Sequence, residues 1–235
     1  MADTQTEKNL EMTLVEHLTE LRSRLIKALL AILIFSVISY VFSDEIIDYL
    51  SRPVGELVFL SPAEAFITHI KVSLLAGVLL ALPVVIYQFW RFLLPALKKN
   101  EKKFFLILMP SSLLLFYAGV LFCFFVVLPL GLNFLLDFGG AELEAMISLD
   151  FYISFLMTLL LPFGLIFQLP LILNLMIKLS IVSVDTMTSM RKYVIVLIFL
   201  TGALLTPPDI ITQSLLAGPL IVLFEGSLLI ARIIN

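Results

Sequence analysis

Charge is scarce in this chain. Asp, Glu, Lys and Arg make up 14% of its 235 residues, against 61% apolar residues and a mean hydropathy of +1.12. A soluble domain of this size would have to expose much of that apolar surface to water, which excludes the soluble class. Cysteine occurs once, at Cys123 inside an apolar run, so an internal disulfide is excluded and the residue reads as a small buried hydrophobe. The two histidines, His17 and His69, lie in different segments and give no metal-ligand spacing. A net charge of −3 and a pI near 5.4 argue against a nucleic-acid partner, which would call for a basic stripe. The phosphate-binding pattern GxxxxGK[ST] is absent, and no internal repeat or low-complexity tract is present. Acids, histidines and nucleophiles do not cluster at one depth, so the chain does not read as an enzyme and no cofactor is called for.

What is abundant is apolar sequence in long runs. A membrane-spanning helix needs about 20 such residues. The runs predict an all-α integral membrane protein with six transmembrane helices, at about 22–43, 65–94, 104–136, 150–177, 192–206 and 212–231. Residues 1–21 are expected as a polar tail without a cleavable signal, since the first run is long enough to remain as a span. The whole chain, 1–235, is expected to form a single membrane domain. Spans two to four are long enough to tilt. Pro207-Pro208 should stop the fifth, and Pro219 should break the sixth.

Basic residues set an orientation. With the N-terminus in the cytoplasm, every lysine and arginine except Arg52 and Lys71 falls on the cytoplasmic side. The positive-inside rule therefore predicts that both termini are cytoplasmic. The first outer loop, 44–64, carries EIIDYL and ELVFL separated by Pro53. It reads either as one or two amphipathic interfacial helices or as an irregular loop. Prolines inside the spans (Pro83, Pro110, Pro129, Pro162, Pro170 and Pro219) should kink them and favour a curved, concave body.

Polar groups near the membrane are costly, and each has a structural and a functional reading. Gln168 is either an amide bonding across helices or the wall of a water-lined pocket. Glu225 is either functional or a boundary residue two turns before Arg232. Asp150 suits the first turn of the fourth span, and Asp209 an N-cap of the sixth. Two polar signatures lie on the predicted cytoplasmic side: HLTELRSRL (17–25) and PALKKNEKK (95–103). Of their acids, Glu20 reads as a first-turn acid at a helix start among snorkelling bases and Glu101 as a solvated acid in a basic loop, or the two read as a pair of carboxylates. Each carboxylate of such a pair suits the fork of one arginine, for which lysine is a poor substitute.

At these motifs the chain resembles TatC, the multi-span core of the twin-arginine protein translocase. The resemblance runs from about His17 to Arg232. It covers HLTELRSRL, LSPAEAF, LPVVIYQFWRFLLPAL with NEKK, SLLLFYAGVLFCFFVVLPL, SLDFYISFL, FGLIFQLP, and RKYVIVLIFLTGALLTPPD with TQSLLAGPL. It implies a cupped, six-span receptor that binds signal peptides bearing paired arginines. It also implies single-span partners TatA and TatB, a homo-oligomeric receptor complex in membrane lipid, and export of folded cargo across the cytoplasmic (inner) membrane on the proton motive force. Carried over by position, Glu20, Glu101, Arg22, Phe92 and Pro95 would contact the signal, and Pro53 and Asp209 would serve the outer side. One departure stands out: many relatives carry glutamate where FQLP places Gln168, so an embedded titratable acid is lost here. A secondary transporter of a small solute is the alternative reading, although it would predict inverted repeats.

Overall fold

The computed structural model describes residues 14–55, 57–93, 102–137, 146–179, 181–205 and 210–234. They are helical almost throughout: α1 (Leu14–Val41), α2 (Ser43–Ser51), α3 (Pro62–Leu93), α4 (Lys102–Phe122), a π-helical turn (Cys123–Val127), α5 (Leu128–Asp137), α6 (Leu149–Ile166), α7 (Leu169–Lys178), α8 (Val184–Ser189), α9 (Arg191–Leu205) and α10 (Ile210–Ile234). The one extended pairing among the described residues joins Val58 to Ser148. The Val58 N–H donates to the Ile147 carbonyl at 3.1 Å, and the Leu149 N–H donates to the Val58 carbonyl at 2.8 Å.

Four stretches are long and apolar enough to cross a membrane: Glu16–Val41, Pro62–Leu93, Ile107–Phe134 and Leu149–Lys178. They coincide with the first four expected spans. α9 and α10 lie where the fifth and sixth were expected. The 15 residues of α9 cover only about 22 Å at 1.5 Å per residue, against a hydrocarbon core of about 30 Å.

The sequence expectation needs correcting at several places. Residues 14–21, expected as tail, already belong to α1, because Leu14, Leu18, Leu21 and Leu25 continue a helical spacing without glycine or proline. In the first loop EIIDYL is helical within α2, whereas Val58 makes a backbone pairing beside the start of α6 in place of a second helix. Pro219 does not break the sixth helix, since α10 runs through it. The breaks fall elsewhere. Just before Pro129 the helix widens into the π turn, where the Leu128 N–H donates to the Cys123 carbonyl five residues back. Widening the turn is a recognised way of accommodating the missing proline donor. Pro170, in the first turn of α7, separates α7 from α6 at Phe167-Gln168. Pro83, Pro110 and Pro162 stay inside continuous helices.

The helices group into two compact units. The first holds α1, residues 73–93 of α3 and the start of α4. A close approach falls at Gly77, where an added Cβ would lie 2.6 Å from the Cα of Ser36. Only glycine lets the backbones of α1 and α3 come this close, in the manner of small-residue contacts between membrane helices. The second unit holds α2, the start of α3, and everything from Pro110 onward. Its core includes Leu128, Tyr152, Ile153, Leu156 and Phe163, together with Leu216, Leu220, Phe224 and Leu228 of α10. Gly164 admits the Phe116 ring, and Gly119 admits Phe167, so α4 and α6 pack ring against backbone.

Candidate functional site

Within the first unit, Glu16, Thr19, Glu20, Ser23, Arg24 and Lys27 recur at three- and four-residue spacing. They therefore share one face of α1. With Gln88 and Arg91 of α3, four residues or fewer apart, they line a groove of about 520 Å³. The groove carries two acids and three bases, in a protein that has few charges.

Glu20 lies in the second turn of α1, and its side chain is only 17% exposed. Arg24, one turn on, donates from Nε to Glu20 Oε1 at 2.8 Å and again from Nη2 to the same oxygen. Its remaining nitrogen, Nη1, donates to Gln88 Oε1 at 3.4 Å. The second carboxylate oxygen, Glu20 Oε2, is buried and has no hydrogen-bond partner. A buried carboxylate oxygen without a donor is costly. Ser36 Oγ, Ser39 Oγ and Arg191 Nε are buried without a partner too, but of these residues Glu20 alone lines the groove.

The other expected contact residues divide. Phe92 is placed beside α1, its ring stacked on His17 with centroids 4.4 Å apart. Arg22 is not brought to Glu20. It is exposed, and residues two apart on a helix do not share a face. Arg24 is the partner instead, which the (i, i+4) spacing from Glu20 would have pointed to. Glu101, Pro95 and Asp209 lie outside the described residues.

Pro53 sits in the turn that ends α2, where the N–H groups of Val54 and Gly55 both donate to the Ser51 carbonyl. Gly55 follows at φ +83°, a backbone that favours glycine. Gln168 is part-buried at the α6–α7 break, and its Nε2 donates to the Ser112 carbonyl of α4 at 2.9 Å. Of its two readings, the bond across helices is the one seen. Glu225 of α10 pairs with Arg191 at the start of α9 at 2.8 Å, each about a third exposed or slightly more. Arg232 donates to Thr188 of α8 at 3.2 Å, at the same end of that helix group.

A second polar cluster escaped the sequence reading. Lys71 of α3 donates to Asp150 at 2.5 Å and to Ser154 at 2.8 Å, both on α6. Thr68 donates to the same Asp150 oxygen at 3.4 Å. One turn earlier, Glu64 accepts from the Asp150 N–H at 3.2 Å, from the Leu60 N–H at 2.7 Å and from the Ser148 hydroxyl. Ser148 in turn caps α6 by accepting from the Phe151 N–H. Asp150 is thus a first-turn acid as expected, and it is also one end of an ion pair. Every group in this cluster is satisfied, so its work is to fasten α3 to α6. A lone lysine in an apolar run signals that a counter-ion is needed. Nothing in the sequence says which acid supplies it.

The chain was compared with known proteins. Residues 16–219 match the family described as Sec-independent protein translocase protein (TatC). The protein of that name from Carboxydothermus hydrogenoformans is 42% identical over 95% of this chain and 94% of its own length. The Aquifex aeolicus protein is 43% identical over 94% and 95%. The Escherichia coli K12 protein is 35% identical over 93% and 88%. A crystal structure of the twin arginine translocase receptor TatC in DDM superposes with a TM-score of 0.84 at 43% identity, covering 92% of this chain and 99% of that one. The helical order, the placement of the apolar stretches and these likenesses agree over nearly the full length, and they leave the small-solute transporter without support. The chain belongs to the TatC family of Sec-independent protein translocases, as a multi-pass membrane protein.

Proposed function

We propose that this protein is the signal-peptide receptor and scaffold of a twin-arginine translocase, acting by binding rather than by catalysis. Glu20, with one oxygen lacking a donor in a polar groove, is the observation that carries the reading. It takes one arginine of the signal pair, and Glu101 takes the other. Phe92 and Pro95 shape the contact around them, whereas Arg22 lies off the groove that holds Glu20. A carboxylate receives a guanidinium through parallel N–H bonds that an ammonium does not reproduce, so the pair is read as arginine rather than as charge.

The rest of the proposal follows the family resemblance. The chain is one membrane domain of six spans, with both termini in the cytoplasm, in the cytoplasmic (inner) membrane. TatA and TatB dock along its spans, further copies complete the receptor complex, and folded cargo is exported on the proton motive force. Pro53 and Asp209 act on the outer side.

The test is photocrosslinking of a twin-arginine signal peptide to the protein in membranes, with probes beside Glu20 and Glu101. Crosslinks at both that disappear when the signal carries paired lysines support the receptor. Absence of any arginine-dependent crosslink at either position overturns the site. Normal export of a twin-arginine reporter by the Glu20→Ala, Glu101→Ala double variant would overturn it as well.

A further inference from the structure

We propose that Arg24 is a positioning residue that makes the Glu20 site selective for a guanidinium. The inference rests on the receptor reading above. Arg24 already places a guanidinium on Glu20, with two of its nitrogens on Oε1. Gln88 steadies that guanidinium from α3 through the third nitrogen. Both partners are largely withdrawn from water, with side chains 16% and 17% exposed. The plane of the carboxylate is therefore fixed and most of its charge is answered from within the protein; its other edge, Oε2, has no donor and is shielded from water, so an arriving donor reaches it by displacing side chains of the groove.

This arrangement discriminates. A free carboxylate offers two oxygens and a full charge, and it attracts lysine and arginine alike. Once Arg24 has answered most of the charge, an arriving cation gains little from simple attraction and must win on geometry and on the cost of losing water. A guanidinium is planar and weakly hydrated, and it presents several donors in a fixed fork, so it can lie beside Arg24 and donate to Oε2. An ammonium is compact and strongly hydrated. At Glu20 it would surrender its water for the one oxygen Arg24 leaves unpaired, in a groove whose three cations, Arg24, Lys27 and Arg91, outnumber its two acids, Glu16 and Glu20. Arg24 thus lowers the attraction for every cation but penalises lysine more.

The experiment is equilibrium binding of two fluorescent signal peptides, one with the arginine pair and one with paired lysines, to the full-length protein in detergent. Arg24→Gln restores charge and both edges to Glu20. The expected result is a marked gain in lysine-peptide affinity with a smaller gain for the arginine peptide. The arginine-over-lysine ratio should fall by about tenfold, the loss of roughly 1.4 kcal/mol of discrimination. Arg24→Lys keeps the cation without the fork and should lower the ratio by less. Gln88→Met leaves the Glu20–Arg24 pair in place but unsteadies it, so it should lower the ratio slightly and serves if Arg24→Gln does not fold. A purely structural Arg24 would shift both peptides by the same factor, and an unchanged ratio in the Arg24 variants overturns the proposal. Glu20→Gln is the control that separates the two claims. If it leaves arginine-peptide binding intact, the receptor site itself is wrong. If it abolishes that binding while the Arg24 ratio stays constant, only the role of Arg24 falls.

Discussion

Removing Lys71 and removing Asp150 should not cost the same, although each breaks the same ion pair. The two side chains are 32% and 34% exposed and 2.5 Å apart. Breaking a fully buried pair costs about 3–5 kcal/mol, and an exposed pair is worth about 0–1 kcal/mol. One-third exposure places this pair between the limits, at about 1–3 kcal/mol. Lys71→Met keeps the apolar stem and leaves Asp150 with the Thr68 hydroxyl and the N-terminal field of α6. Its expected cost is toward the lower end, about 1–2 kcal/mol. Asp150→Asn leaves a cation in an apolar stretch of α3 with only neutral acceptors, the new amide oxygen and Ser154, and it gives up the favourable placement of an acid at a helix start, worth a further 0.3–1 kcal/mol or so. It should cost about 2–3 kcal/mol. The assay is equilibrium unfolding in mixed micelles, followed by helicity, for both single variants and the double variant. The double should fall short of the sum by about 1–2 kcal/mol, the coupling of the pair. Exchanging the partners, Lys71→Asp with Asp150→Lys, should regain the coupling yet stay below the parent, because a cation then occupies the first turn of α6. Additive single effects, or equal losses from the two ends, would refute this account of the fastening.

Gly77→Ala should lower stability by about 1–2 kcal/mol despite alanine's better helix propensity, because the new methyl meets the Ser36 backbone and overpacking outweighs propensity; Ser36→Gly should not rescue it in the same unfolding assay. Gly164→Ala meets the outer atoms of the Phe116 ring first, so it should be rescued by Phe116→Leu, and failure of that rescue would sink the ring-on-glycine packing. Gln168→Leu removes the donor to the Ser112 carbonyl and should cost about 1 kcal/mol. Gln168→Glu exchanges that amide donor for a carboxyl and should cost at least as much, and an unchanged unfolding midpoint in both variants would contradict the bond. Glu225→Ala should cost about 1–2 kcal/mol and Glu225→Gln less, because an amide still accepts from Arg191.

Hydropathy made the first four spans legible to within a few residues, since the cost of exposing apolar backbone to water or polar backbone to lipid acts on whole segments. It also located α9 and α10. The prolines were legible as positions but not as outcomes. A missing N–H can be absorbed by a neighbouring carbonyl, by a π turn or by a break, and the choice depends on packing that local sequence does not contain. Pro162 and Pro219 stay inside helices, Pro129 follows a π turn, and Pro170 opens a new helix. The loop segment ELVFL shows the same limit. Its apolar character fitted an interfacial helix, but Val58 met the strand-like stretch before α6, 90 residues away, and backbone pairing there prevailed.

The site was legible in one half of its logic. The (i, i+4) rule ties Arg24 to Glu20 and could have been read from sequence; the contribution of Gln88, 64 residues further on, could not. What separates functional from structural acids appears only when partners are counted. Asp150 and Glu225 face cations on neighbouring helices, and Glu64 accepts from three groups, so removing any of them loosens a joint. Glu20 is held as firmly by Arg24, yet it is the one acid among the described residues with a buried oxygen left unpaired. Arg191 Nε and the Ser36 and Ser39 hydroxyls are buried without a partner as well, so what sets Glu20 apart is that its unpaired atom belongs to an acid lining a polar groove. That combination is what supports the proposed receptor site at Glu20.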